Sequence, residues 1–215
     1  MLYIVTPLSR VENLEKLKES FLNSQNFENN SQFVKWIIIY DKAICDKLSS
    51  YVQLRHFFNL KDASCVEFCS PIANAFVGHA HRNHFFTKEW IMTYGNSPKV
   101  NNWVYFLDDD TLLHPDFLET ILPLLESNSD KVAIIFDQEN KDGSMRLFAN
   151  INQVKVCHID MGQYIVNLSK LPSDLRFKED DYCADGIFIE KLFNRVGPEQ
   201  FLVVNKTLST YNKLR

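Results

Sequence analysis

Short runs of β-branched and aromatic residues alternate with stretches of helical periodicity through the first half of the chain. This alternation restricts the fold more than any single residue does. LYIVT (2–6), FVKWIIIYD (33–41), ASCVEFCS (63–70) and NWVYFLDDD (102–110) read as strands. VENLEKLKESFL (11–22), DKAICDKLSSYV (41–52), HAHRNHFFTKEWIMTYG (79–95) and HPDFLETILPLLES (114–127) read as helices. Gly95 is a C-cap for the third helix, and Pro115 stands near the start of the fourth. Strand and helix in turn predict an α/β domain with a largely parallel central sheet and helices on both faces. Ligands of such sheets bind beyond the carboxyl ends of the strands, where Thr6, Asp41 and Asp108–Asp110 fall.

The second half is less regular. KVAIIFDQEN (131–140), MRLFANI (145–151), QVKVCHI (153–159), GQYIVNLSKL (162–171) and QFLVVNKTL (200–208) read as strands. ADGIFIEKLFNRVG (184–197) reads as an amphipathic helix closed by Gly197. No repeat or low-complexity tract divides the chain, so residues 1–215 read as one domain.

Composition excludes some partners. The net charge is −4 with no long basic block, which argues against nucleic acid. No apolar run approaches the roughly 20 residues that span a bilayer, and MLYIVTPLSR has no leader character. Cys45, Cys65, Cys69, Cys157 and Cys183 are odd in number without zinc-like pairs, so free thiols in a reducing cytoplasm are expected. His79, His81 and His84 invite a zinc reading, but no Cys or carboxylate nearby completes a site.

Asp108, Asp109 and Asp110 repel one another at the end of a buried strand, and that placement asks for compensation. Carboxylates at a strand end are hard oxygen ligands for Mg²⁺ or Mn²⁺, leaving metal positions for phosphate oxygens. The plainer alternative is an acidic turn in which Asp109 or Asp110 caps the next helix.

WVYFLDDDTLLHPDFLETI resembles the DXD region of glycosyltransferases with the GT-A fold, and is most similar to the β-1,3-glucuronyltransferase family (glycosyltransferase family 43). YIVTPLSR, WIIIYD, GHAHRNHFFTKEW and HIDMGQYIVNL resemble further segments of that family in the same order. The resemblance implies a nucleotide-binding half (1–112) and an acceptor-binding half (113–215). It places Thr6, Pro7 and Arg10 near the nucleotide and Asp41 on the uracil. Arg82 and Asn83 would hold the uridine and diphosphate. Asp108 and Asp109 would face the ribose and metal side, with Asp110 the principal metal ligand and Asp108 beside it. Asp160 would contact the acceptor sugar.

Inverting transfer needs a carboxylate that takes the proton of the attacking hydroxyl. FKEDDYCADGIFIEKLF offers Glu179, Asp180, Asp181 and Asp185. In the resembled family the base sits just before a helix and after a Tyr, which selects Asp185, with Asp181 second. Asp185 could instead be the N-cap of that helix. The family's C-terminal His on the diphosphate side is Asn212 here, which leaves Lys206 or Lys213 as other cations for the phosphates.

The expectation is thus a metal-dependent, inverting glycosyltransferase using a nucleotide-diphosphate donor, a UDP-sugar, with Mn²⁺ or Mg²⁺. The composition suggests a bacterial cytoplasmic enzyme, with peripheral contact at the inner face of the membrane allowed. Its acceptor would be a glycan or lipid-linked glycan. Two rivals stand beside it. A nucleotidyltransferase would want a Gly-rich phosphate loop, which VTPLSR lacks. A non-catalytic nucleotide-sugar binding protein would bind donor without turnover.

Overall fold

The computed structural model describes residues 1–23, 30, 32–40, 44, 65–69, 78–86, 101–211 and 213–214. Strands β1 (Leu2–Pro7), β2 (Val34–Tyr40), β3 (Cys65–Cys69) and β4 (Trp103–Phe106) pair in parallel in the order β3-β2-β1-β4. The sheet continues past β4 through β8 (Tyr164–Asn167), β6 (Ala133–Asn140), β9 (Phe201–Tyr211) and β5 (Leu112–Leu113), with β7 (Met145–Leu147) beside β6. In this part only β6 and β9 run parallel, and β4–β8, β6–β8, β6–β7 and β5–β9 are antiparallel. The expected parallel sheet therefore holds for the first four strands and gives way to a mixed one. The four-residue connection from β6 to β7 shows why: short links between neighbouring strands leave no room for a parallel crossover.

Helices α1 (Leu14–Asn23), α2 (His79–Phe85), α3 (Phe117–Ser127) and α4 (Ala184–Val196) cover both faces. Alternation along the strands divides the core accordingly. Leu2 and Ile4 of β1 meet Leu14, Leu17 and Phe21 of α1 and the Phe117 face of α3 in one cluster. Tyr3 and Val5 belong to the other, with Phe85 of α2 and Phe188, Ile189 and Leu192 of α4. The Phe188 ring stacks on Phe177 at 4.3 Å and on Phe86 at 5.8 Å. The aromatic run after GHAHRNH is core packing to this extent.

Three local expectations are corrected. Pro115 lies ahead of α3, whose interior instead contains Pro123. QVKVCHI is not a strand: Ile151–Gln153 form a 3₁₀ turn, and the backbone beyond bonds to itself, His158 N–H donating to Lys155 O at 3.1 Å. Only Val154 and Ile159 of that stretch are buried, so it has no apolar face to lay on the sheet. GQYIVNLSKL is strand only over Tyr164–Asn167, because Asp160 and Gln163 form a capping box around Met161–Gln163 that imposes a 3₁₀ turn first. The helix expected over 41–52 and the 87–95 end of the one after it lie outside the described residues. Among the described residues no helix is long and apolar enough to cross a membrane.

Candidate active site

The parallel pairing of β1 with β4 sets Val5 opposite Phe106, so the chain leaves both strands at one edge. Leu107 N–H donates to Val5 O at 2.9 Å and carries the pairing one step further. Arg10 and the three aspartates meet just beyond it. Asp109 Oδ2 accepts from the backbone N–H of Ser9 (2.6 Å) and of Arg10 (2.7 Å) and from Ser9 Oγ (2.7 Å). The Arg10 guanidinium pairs with Asp109 and lies 3.0 Å from Asp110 Oδ2. Asp109 and Asp110 are buried, whereas the Asp108 side chain is 38% exposed. Asp109 thus anchors the turn after β1, and two of the crowded carboxylates share one arginine.

Arg82 of α2 compensates the third, its Nη2 donating to Asp108. Its Nη1 is 2.7 Å from His79 Nδ1, and a guanidinium only donates, so His79 Nδ1 accepts and its proton sits on Nε2. Burial first, then the Arg82 charge, pushes the His79 pKa down to about 4, so the ring is neutral and serves as an acceptor that orients Arg82. Helix α2 can start here because Gly78 takes a left-handed φ of 76° and a Cβ on it would come 2.7 Å from Pro7 Cβ. Gly78→Ala is expected to destabilise the fold by about 2 kcal/mol. Thermal melting should show the midpoint falling by roughly 4–8 °C.

The second half of the chain brings a further pair of carboxylates. Asp160 Oδ1 accepts from Gly162 N–H at 2.9 Å, and Oδ2 lies 3.1 Å from Arg146. Arg146 in turn sits 3.5 Å over the Tyr211 ring and donates to Gln138. Asp185, in the first turn of α4, accepts from Met161 N–H at 3.1 Å. Burial first, then the charge of Asp160, raises the Asp185 pKa to about 6. A cleft of about 660 Å³ is lined by Pro7, Arg10, Arg82 and Asp108–Asp110 from the first half and by Arg146, Asp160, Tyr182 and Asp185 from the second. That volume is within the range of about 300–1,000 Å³ common for small-molecule sites.

The other sequence-derived candidates stand elsewhere. Thr6 is buried and accepts from Trp36 Nε1 at 3.0 Å. Asn83 clamps the loop ahead of α4, donating to Phe177 O and Glu179 Oε1 at 2.9 Å each and accepting from Phe177 N–H. Asp181 is not among the lining residues. Its carboxylate takes the Cys183 N–H and the Lys178 ammonium, both at 3.0 Å, and these hold its pKa below the usual value. Lys206 bonds Asp116 and Thr120, and Lys213 donates to Lys141 O, so neither lines the cleft. Asp41 and Asn212 lie outside the described residues. Arg146 and Tyr182 were not anticipated. Nothing in the sequence links Arg146 to Asp160, which it reaches through the β6–β7 pairing.

Among the described residues no three His, Cys, Asp or Glu side chains converge into a metal cage. Asp108 and Asp110 both face the cleft. They fit a Mg²⁺ or Mn²⁺ ion of the kind that takes one or two carboxylates and completes its shell with phosphate oxygens and water.

No family model matches the chain. No curated protein matches it in sequence. Solved structures do match in fold. S. aureus TarS 1-349 in complex with UDP superposes with a TM-score of 0.68 at 13% identity, covering 97% of this chain and 59% of that one. Without UDP the same protein gives 0.67 at 15% identity over the same shares. GalNAc-T7 with UDP, GalNAc and Mn²⁺ gives 0.54 at 11% identity, covering 95% of this chain and 42% of that one. The chain thus shares its fold with these proteins and spans a little over half of the TarS chain or less of GalNAc-T7.

Proposed function

We propose that the chain is a GT-A glycosyltransferase that transfers a sugar from a nucleotide-diphosphate donor, a UDP-sugar, to a hydroxyl of a glycan or lipid-linked glycan, with inversion. The observation that carries this reading is the composition of the cleft: arginine-paired carboxylates where β1 and β4 end, with a half-buried carboxylate of raised pKa in the same cavity. The fold shared with proteins crystallised with UDP supports the donor, as does the resemblance of the aspartate region.

On this reading Arg82, oriented by neutral His79, meets the diphosphate of the donor, and Arg10 holds the Asp109–Asp110 side of the site in shape. A divalent cation bound by Asp108 and Asp110 would neutralise charge gathering on the departing diphosphate. Asp160, fixed by Arg146 and Gly162 N–H, orients the acceptor. Asp185 takes the proton of the attacking hydroxyl, the hydroxyl oxygen forms the new bond to the anomeric carbon, and the bond to the diphosphate breaks. A pKa near 6 suits that task better than the depressed value of Asp181, since a base works best when its pKa is near the operating pH.

Calorimetry of UDP with and without Mn²⁺, on wild type and Asp110→Ala, tests the donor half. Metal-enhanced binding that the variant loses is expected. Binding indifferent to the metal would shift the phosphate contacts to the cleft arginines. No UDP binding in either condition would remove the reading.

A further inference from the structure

Cys157 and Cys183 come from segments 26 residues apart, yet their sulfurs stand 3.8 Å from each other at the cleft. Both are free thiols, Cys157 exposed and Cys183 half-buried. The backbone makes the approach. A Cβ on Gly186 would lie 3.1 Å from Val156 Cα and 3.3 Å from Cys157 N, so glycine in the first turn of α4 is what lets the 156–157 backbone rest on that helix. Cys157 has a φ of 67°, an uncommon conformation for a side-chain-bearing residue that marks a sharply turned backbone at the contact. From the other side, Asp181 accepts the Cys183 N–H at 3.0 Å and fixes the chain entering α4. Two anchored backbones therefore hold the sulfurs face to face. A disulfide bond of about 2.05 Å needs them only about 2 Å closer.

We propose that Cys157 and Cys183 are a redox-active dithiol that closes reversibly to an intramolecular disulfide by exchange with a low-molecular-weight disulfide, tying the Asp160 segment to the start of α4. The exposed Cys157 sulfur, as thiolate, attacks one sulfur of the small disulfide and expels the first small thiol. The Cys183 thiolate then attacks Cys157 Sγ in the mixed disulfide and expels the second. The protein gives up two electrons and two protons, and the small disulfide leaves as two thiols. The contact with Cys157 is the first cause holding the Cys183 thiol above its usual pKa, with burial and the Asp181 and Asp185 charges adding to it, which leaves the exposed Cys157 as the attacking sulfur.

Closure acts on the site because Asp160 follows Cys157 by three residues and Asp185 follows Cys183 by two. A shift of the two carboxylates against each other by about 1 Å on closure would cost on the order of 100-fold in a positioned reaction. This effect on transfer rests on the function proposed above, whereas disulfide formation does not.

The test is to equilibrate the full chain with oxidised glutathione, trap remaining thiols with N-ethylmaleimide and map the cysteine peptides by mass. The expected result is a Cys157–Cys183 linked peptide that dithiothreitol returns to two thiols. In Cys183→Ser the expected product is a glutathione adduct held on Cys157, because the resolving thiol is gone. Separate adducts on both cysteines of the wild type, or links from either to Cys45, Cys65 or Cys69, overturn the proposal. So does recovery of both as thiols after the other cysteines have reacted. In the transfer assay the linked protein should lose activity at least about tenfold and regain it on reduction. The Cys157→Ser/Cys183→Ser variant should be insensitive to the oxidant. Unchanged transfer by protein shown by mass to be linked overturns the coupling to the site. Absence of transfer in both redox states, with the link still formed, counts against the proposed function alone.

Discussion

Asp185→Asn is expected to abolish sugar transfer while making the protein more stable at neutral pH. On the proposed mechanism the variant has lost the group that accepts the hydroxyl proton, a loss of roughly 10²–10⁴ in kcat. UDP affinity should stay within about threefold, because a group used only in the transition state does not hold the donor. The stability effect has the opposite sign for a reason in the structure. Asp185 keeps its proton in the folded protein up to about pH 6, against 3.8 for the ordinary carboxyl, because it is buried and faces the Asp160 charge, with Asp108 adding to the effect and Arg82 opposing it. Its ionisation therefore costs stability progressively as pH rises from about 4 to 6, and the full cost of roughly 3 kcal/mol persists above that. Asparagine carries no such charge and can still accept from Met161 N–H. Urea titrations should find the variant more stable by up to roughly 3 kcal/mol at pH 8 and level with wild type below pH 4. Equal stabilities at pH 8 would mean that Asp185 is not held in the environment described.

Arg82→Gln is expected to weaken UDP binding by roughly 10- to 100-fold, the range of one or two charge-assisted hydrogen bonds. The substitution removes the cation between His79 and Asp108 and leaves Asp108 beside two other carboxylates that share Arg10. Lysine should rescue poorly, since one ammonium cannot reproduce the planar fork that reaches His79 and Asp108 together. Stability should fall as well, because Arg82 is buried. Calorimetry is therefore read at a temperature where circular dichroism shows the variant folded. Unchanged UDP affinity would separate Arg82 from the diphosphate and confine it to holding α2 against the strand end.

The architecture was legible where pattern and packing agree. β1, β2 and β4 were readable because each is a largely apolar run buried on both faces, as a parallel sheet requires, and β3 through its short β-branched and aromatic run. The same logic misled at QVKVCHI, where apolar and polar residues alternate but the capping and turn bonds of Asn150 and Asp160 hold the backbone out of the sheet. The three aspartates were readable as a cluster needing compensation. Which groups compensate was not, because Arg10 lies 99 and 100 residues from Asp109 and Asp110 and Arg82 lies 26 from Asp108, and the fold brings them together. The resemblance ranked Asp185 ahead of Asp181, but what separates the two chemically was hidden. Both are acidic residues around one helix start, and their pKa values are set apart by the burial of Asp185 beside the Asp160 charge and by the Cys183 N–H and Lys178 bonds of Asp181. The approach of Cys157 to Cys183 depends on Gly186, whose role as a contact rather than a turn has no local signature.

The most direct test of the central proposal is to incubate wild type and Asp185→Asn with a panel of UDP-sugars, with and without glycan acceptors, and follow UDP release. Proton NMR then reads the anomeric configuration of any product. The account predicts acceptor-dependent release by the wild type, a product of inverted configuration, and loss of both in the variant with UDP binding intact. Donor binding without turnover by the wild type across the panel would contradict it and leave a nucleotide-sugar binding protein. Retained configuration, or full activity in the variant, would remove Asp185 from the chemistry.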